Sequence, residues 1–244
     1  SGEKVKFMVN DTLILMWTAL GIGFFHTLVG PDHYLPFIVM AKARRWSLVK
    51  TTLITFLCGL VHVASSVILG FLGLVAGIAV FKLQAFESMR GEVAAWLLLA
   101  FGFTYFVWGL HRAIRNRPHR HTHDHRLISS HEHTHNHSGE HAHIHELEKK
   151  ADITPWVIFT IFVFGPCEPL IPVLMYPAAK GNMVGVAMVT AVFAIATIST
   201  MLTLVLVLSF GLMKLPLQRL ERYSHALAGF AIIICAVAIK FLGL

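Results

Sequence analysis

The sequence predicts an all-α integral membrane protein: six transmembrane helices in two inverted three-helix repeats, with helices 1 and 4 broken at Gly-Pro steps. Three observations lead there. The 244 residues are 56% hydrophobic and only 14% charged. Several apolar runs exceed the roughly 20 residues that cross a bilayer as a helix. The polar step Gly30-Pro31-Asp32-His33 is matched by Gly165-Pro166-Cys167-Glu168, 135 positions later.

In chain order, Asp11 is expected to cap a helix running to Val29, where Gly30-Pro31 interrupts the backbone ladder. This first apolar run lacks a small-residue cleavage site and is expected to be retained. The helix resumes near Tyr34 and ends around Ala43, before the basic loop of Lys42, Arg44, Arg45 and Lys50. A second span is expected over Thr51 to Val80, with kinks at Gly70, Gly73 or Gly77. Gly91 to Leu110 forms the third, flanked by Arg112, Arg115 and Arg117. Beyond a hydrophilic insert reaching Lys150, the remaining spans are Trp156 to Tyr176, Met183 to Met213 and His225 to Leu244. The chain thus divides into a first repeat (1–112), an insert (113–153) and a second repeat (154–244).

At the fixed offset of 135, Leu35 falls on Leu170, Met40 on Met175, Thr55 on Thr190, and His62-Val-Ala-Ser65 on Thr197-Ile-Ser-Thr200. Correspondence over that length, with equal span counts, points to an internal duplication. An odd number of crossings per half makes the copies face opposite ways, an arrangement that places substrate at discontinuous helices near the midplane. With the N-terminus outside, 14 of the 20 Lys and Arg residues fall on the inner side, which puts the insert in the cytoplasm of a multi-pass cell-membrane protein.

The net charge of +7 lies in the connections between spans, and no basic-aromatic module is present, so nucleic acid is excluded as a partner. Cys58, Cys167 and Cys235 lack Cys-x-x-Cys spacing, so neither a disulfide framework nor a zinc ribbon is expected. The insert holds eleven histidines in alternating pairs: His119, His121, His123 and His125; His131, His133, His135 and His137; His141, His143 and His145. Neutral imidazole binds zinc, nickel, cobalt and cupric ions, and closely spaced imidazoles on a flexible strand give weak, exchangeable metal sites.

Within the spans, ionisable groups are expensive and mark functional sites. His26 and His33 are seven apart and would share a face of a continuous helix, with Asp32 at the break. His62, Ser65 and Ser66 share a face of the second span, and Cys167 and Glu168 offer a thiolate and a carboxylate from the second half. Imidazole, carboxylate and thiolate together suit a borderline first-row ion, whereas magnesium would take oxygen alone. His26, Asp32, His33, His62, Cys167 and Glu168 are therefore the candidate metal ligands. Helix-helix hydrogen bonding for His62 and apolar packing for Cys167, Met40 and Met175 are the competing roles.

The spacing of His26, Asp32 and His33, the run Gly59-Leu-Val-His62-Val-Ala-Ser-Ser66 and the histidine-rich insert resemble the nickel/cobalt transporter superfamily, in its branch related to urease-accessory membrane proteins. That family's signature has four residues between the first His and the Asp, where this chain has five and a Pro. In the second half, Gly165-Pro-Cys167-Glu-Pro-Leu-Ile-Pro172 is similar to the Cys-Pro breaks of the thiol-disulfide carriers of cytochrome c maturation. Those carriers need a cysteine from each repeat, and the position matching Cys167 is Asp32. The first resemblance implies transport of a divalent transition metal, nickel or cobalt first, with zinc, copper or iron left open as the cargo and no prosthetic group expected. Alternatives are a membrane thiol-disulfide electron carrier and a metal-delivery factor serving a cytoplasmic metallochaperone or metalloenzyme. Neither hydrolysis nor redox chemistry is required by the transport reading, and oligomeric state is left open.

Overall fold

The computed structural model describes residues 2–115, 119–123, 131–135, 152–214 and 218–242. These form eight α-helices, two 3-10 helices (Pro31–His33 and Gln218–Tyr223) and one short two-stranded ribbon: α1 (Gly2–Val29), α2 (Leu35–Ala43), α3 (Leu48–Val75), α4 (Val80–Arg115), β1 (His119–His123), β2 (His131–His135), α5 (Thr154–Phe164), α6 (Leu170–Ala179), α7 (Met183–Lys214) and α8 (Ser224–Leu242). Five helices among the described residues are long and apolar enough to cross a bilayer, namely α1, α3, α4, α7 and α8. The chain is a multi-pass membrane protein.

Several boundaries differ from expectation for local reasons. Asp11 is not a cap, because α1 already begins at Gly2; its carboxylate instead accepts from Lys180 Nζ at 2.8 Å and from Tyr176 Oη at 3.4 Å. α3 starts at Leu48, where the Ser47 hydroxyl accepts from the Lys50 N–H at 3.2 Å and satisfies one of the free donors of the first turn. It ends at Val75, before Gly77 turns the chain with φ +66, and α4 follows without a long loop. α4 is 36 residues long and absorbs Glu87 and Arg90, which the sequence reading placed outside the spans. The expected fourth span is divided into α5 and α6, of 11 and 10 residues.

Three boundaries recur at the same offset of 135: α1 and α5 end at Val29 and Phe164, α2 and α6 start at Leu35 and Leu170, and α3 and α7 start at Leu48 and Met183. Packing follows the same exchange. α1 lies on α7 and α5 on α3; α2 touches α7 and α8, while α6 touches α3 and α4; α3 meets α7 and α4 meets α8. The α4–α8 contact is close because it is built on glycine. A Cβ at Gly109 would lie 2.4 Å from the Ala226 nitrogen, and one at Gly229 would lie 2.3 Å from the Phe106 nitrogen. Small residues bringing backbones together are a common means of helix association in lipid.

Contacts between helix ends define two ends of the bundle. At one, Trp46 and Lys50 reach Asp152, Lys42 reaches the Leu212 carbonyl, Arg45 pairs with Glu221, and Arg44 stacks over Tyr105 and Trp108. At the other, Asp11 meets Lys180 and Thr12 meets Asn182. Within the insert, β1 and β2 pair antiparallel, with His119 opposite His135, His121 opposite His133 and His123 opposite His131, so this part is a paired ribbon and not a free strand. His125, His137, His141, His143 and His145 lie outside the described residues.

Candidate metal centre

Both breaks are made the same way. The Gly30 N–H donates to the His26 carbonyl at 3.0 Å and the Gly165 N–H to the Ile161 carbonyl at 3.0 Å, closing the last turn of α1 and of α5. Each glycine is then extended, at φ −79, ψ 99 and φ −58, ψ 130, and the proline that follows has no N–H to continue the ladder. Glycine is needed here for space. A Cβ would sit 2.7 Å from His33 Nδ1 at Gly30 and 2.9 Å from His62 Nδ1 at Gly165.

Three imidazoles gather between the breaks. The His33 ring lies edge to face with His26 and with His62, at centroid distances of 4.8 Å and 5.0 Å. His26, His62 and Cys167 each present one donor atom within 4.8 Å of the others. Buried ring nitrogens normally have partners, yet among the described residues His26 Nε2, His33 Nε2 and both nitrogens of His62 have none. Leaving such atoms unpaired costs about 1–3 kcal/mol each, so a ligand that supplied the missing bonds among these neighbouring rings would be favoured.

His33 Nδ1 lies 3.0 Å from Asp32 Oδ1 and 3.2 Å from the Gly30 carbonyl. A carbonyl can only accept, so Nδ1 carries the proton and Nε2 of the neutral ring keeps its lone pair. Asp32 therefore orients His33, as carboxylates commonly do behind metal-binding histidines. Cys167 and His62 are buried, at 0% and 2% exposure, and Cys167 packs beside Ala19, Leu170 and Phe193. Glu168 is exposed and stands apart from the His26–His62–Cys167 group.

A cavity of about 450 Å³ is lined by His26, Asp32, His33 and His62 together with Glu92, Glu168 and Lys240, while Pro166 but not Cys167 belongs to its lining. Lys240 pairs with Glu92 and lies over Trp96. Ser65 and Ser66, which share the His62 face in the sequence, are engaged elsewhere. Ser65 donates to the His62 carbonyl at 2.8 Å, and Ser66 donates to Glu87 at 3.1 Å. Glu87 and Arg90 were missed by the sequence reading, although paired charges three apart in an apolar run were a signal that could have found them. Met40 is fully buried packing, and His225 Nδ1 lies 2.7 Å from the Tyr105 hydroxyl, away from the centre.

All three cysteines are free thiols. Cys58 and Cys235 belong to one apolar cluster, around Phe37, Met201 and Ile232, and Cys167 belongs to another.

Comparison with curated proteins and with solved structures found no match. A family model described as cytochrome C biogenesis protein transmembrane region matches residues 37–238, which takes in α3 to α7, the second break and all three cysteines, and begins after the first break. On that match over most of its length, the chain belongs to the family of the cytochrome c biogenesis protein transmembrane region.

Proposed function

We propose that the chain carries a divalent transition-metal ion across the membrane through the centre formed by His26, His33, His62 and Cys167. The observation behind this reading is that His26 and His62, whose rings carry unpartnered nitrogens, each bring a donor atom within 4.8 Å of the others and of the buried Cys167 thiol, with the unpartnered Nε2 of His33 on the ring next to both. Zinc-type ions hold nitrogen and sulfur donors at about 2.0 and 2.3 Å, so tetrahedral ligands sit roughly 3.3–3.7 Å apart. A group of donors within 4.8 Å needs only a small inward movement of side chains to reach that spacing. Imidazole with thiolate suits borderline ions, so zinc and copper join the nickel and cobalt implied by the sequence resemblance. Binding displaces the Cys167 proton, since the thiolate is the ligand.

Two inverted repeats account for transport. In that arrangement α1 with α2, and α5 with α6, are broken crossings, and the two halves contribute His26, His33 and His62 on one side and Cys167 on the other. Support comes from the shared offset of helix boundaries, the exchanged packing of α1 on α7 and α5 on α3, and the end-to-end contacts. The cavity lined by His26, His33 and His62 also takes in Lys240, in the last turn of α8, away from the end that gathers Arg44 and Arg112. By the positive-inside rule this is the outer side, and the insert is cytoplasmic. One half rocking against the other then exposes the ion inward, where the insert histidines collect it.

Family membership favours a second reading, a membrane thiol-disulfide carrier. Such a carrier forms and breaks a disulfide within the chain, passing two electrons and two protons to a partner dithiol. It would need Cys167 to meet Cys58 or Cys235, which pack in the other apolar cluster. Uptake of a panel of nickel, cobalt, zinc and copper ions into proteoliposomes, run beside exchange with a reduced thioredoxin-like dithiol, separates the two. Metal flux that depends on His62 and Cys167, without a reversible intramolecular disulfide, is the expected result.

A further inference from the structure

α4 brings two charges to the second break that no ligand role explains. Glu87 has no exposed surface; its carboxylate accepts from Arg90 Nη1 at 2.6 Å, from Ser66 Oγ at 3.1 Å and from the Cys167 N–H at 3.1 Å. The same Cys167 N–H also points to Ser66 Oγ, at 3.2 Å. Arg90 Nη2 donates to Ser65 Oγ at 2.8 Å and to the carbonyls of Val163 at 2.8 Å and Gly165 at 3.4 Å. The last carbonyls of any helix lack intrahelical partners, and at the end of α5 the guanidinium takes that place. The pair therefore ties α4, α3 and the break into one unit.

Two features make this more than a general brace. Ser65 and Ser66 sit one turn after His62 on the same helix, so the carboxylate and guanidinium fix the position of His62 relative to the backbone of Cys167. The first break is held without such help, by its own His33–Asp32 and His33–Gly30 contacts. A buried ion pair carries a desolvation penalty of several kcal/mol per ion, and an apolar pair of similar volume is often at least as stabilising. We infer that Glu87 and Arg90 are positioning residues that hold the Cys167 thiol in register with His26 and His62, and so decide whether a thiolate joins the imidazoles around the ion.

This rests on the metal-centre reading, and its test distinguishes the two. The full chain is purified in a Cys58→Ala, Cys235→Ala background, so that Cys167 is its only thiol. Two properties are measured with Glu87→Gln and with the double variant Glu87→Gln, Arg90→Met: the rate of maleimide labelling without metal, and titration with cadmium or nickel, following the cadmium-thiolate absorbance. Labelling should rise and cadmium affinity fall by about 10-fold or more, the scale of supporting-residue losses at metal sites. The thiolate band should disappear, while nickel, held by imidazole, shifts far less. A merely structural role would weaken both ions alike. Unchanged labelling with an unchanged cadmium-to-nickel ratio in a folded double variant would overturn the inference, as would failure of both variants to fold. If the parent binds neither ion, the metal reading fails, and the labelling rate still decides whether the pair positions Cys167.

Discussion

At the residue scale, the proposed metal centre rests most heavily on His62. It is 2% exposed and neither ring nitrogen has a partner among the described residues. Replacing an unsatisfied buried polar group by an apolar one of similar size is commonly neutral or stabilising. His62→Leu should therefore abolish metal flux while leaving the melting temperature unchanged or raised, as a thermal-shift measurement beside an uptake assay would record. A hydrogen-bonding role for His62 would show instead as a lowered melting temperature. For Asp32, which holds the tautomer of His33, Asp32→Asn should weaken metal binding by about 10–100-fold without removing it. Loss of all binding, read by equilibrium dialysis, would make the carboxylate itself a ligand. As candidates, His26, Asp32, His33, His62, Cys167 and Glu168 were legible because ionisable residues stand out in an apolar chain, and of these the structure groups His26, His62 and Cys167. The orientation of His33 was not legible, since it depends on the turn that lays its Nδ1 against Asp32 and the Gly30 carbonyl.

At the element scale, the α4–α8 contact depends on glycines that leave no room for a methyl group, so Gly109→Ala and Gly229→Ala should each destabilise the fold. Overpacking of this kind costs about 1–3 kcal/mol, and thermal melts in detergent would register it; an unchanged melt would mean that the helices separate freely there. Asp152 joins the start of α5 to α3. Its partial burial pushes the carboxyl upward, but donation from the Trp46 indole, Thr154 and Lys50 outweighs this and holds it below the usual carboxylate range. A depressed folded pKa stabilises above the unfolded value near ~3.9, and the benefit disappears as pH falls through the folded value. The melting difference between wild type and Asp152→Asn should accordingly shrink toward zero on acidification, and a constant difference would contradict the assignment. The two breaks, α2 and α7 were visible in the sequence, because Gly-Pro steps and long apolar runs leave unambiguous marks. For α4 the sequence marks only Gly91 onward, since Glu87 and Arg90 read as a loop until they are seen to pair with each other against Ser65, Ser66 and the second break.

For the whole molecule, the insert and the transmembrane centre are separable on the proposed reading. Deleting residues 119–145 should lower the number of bound ions and reduce uptake at low metal, with saturating flux substantially kept; complete loss of saturating flux in a folded protein would place the histidines on the obligatory path. The central claim is that imidazoles from one half and the thiol from the other hold a travelling ion. It is tested most directly by uptake of nickel, cobalt, zinc and copper into proteoliposomes holding wild type, His62→Leu or Cys167→Ser. Uptake by wild type, its loss in His62→Leu and a changed order of ion preference in Cys167→Ser are predicted. Equal uptake by all three proteins, or no uptake by wild type together with a reversible Cys167 disulfide, would contradict it.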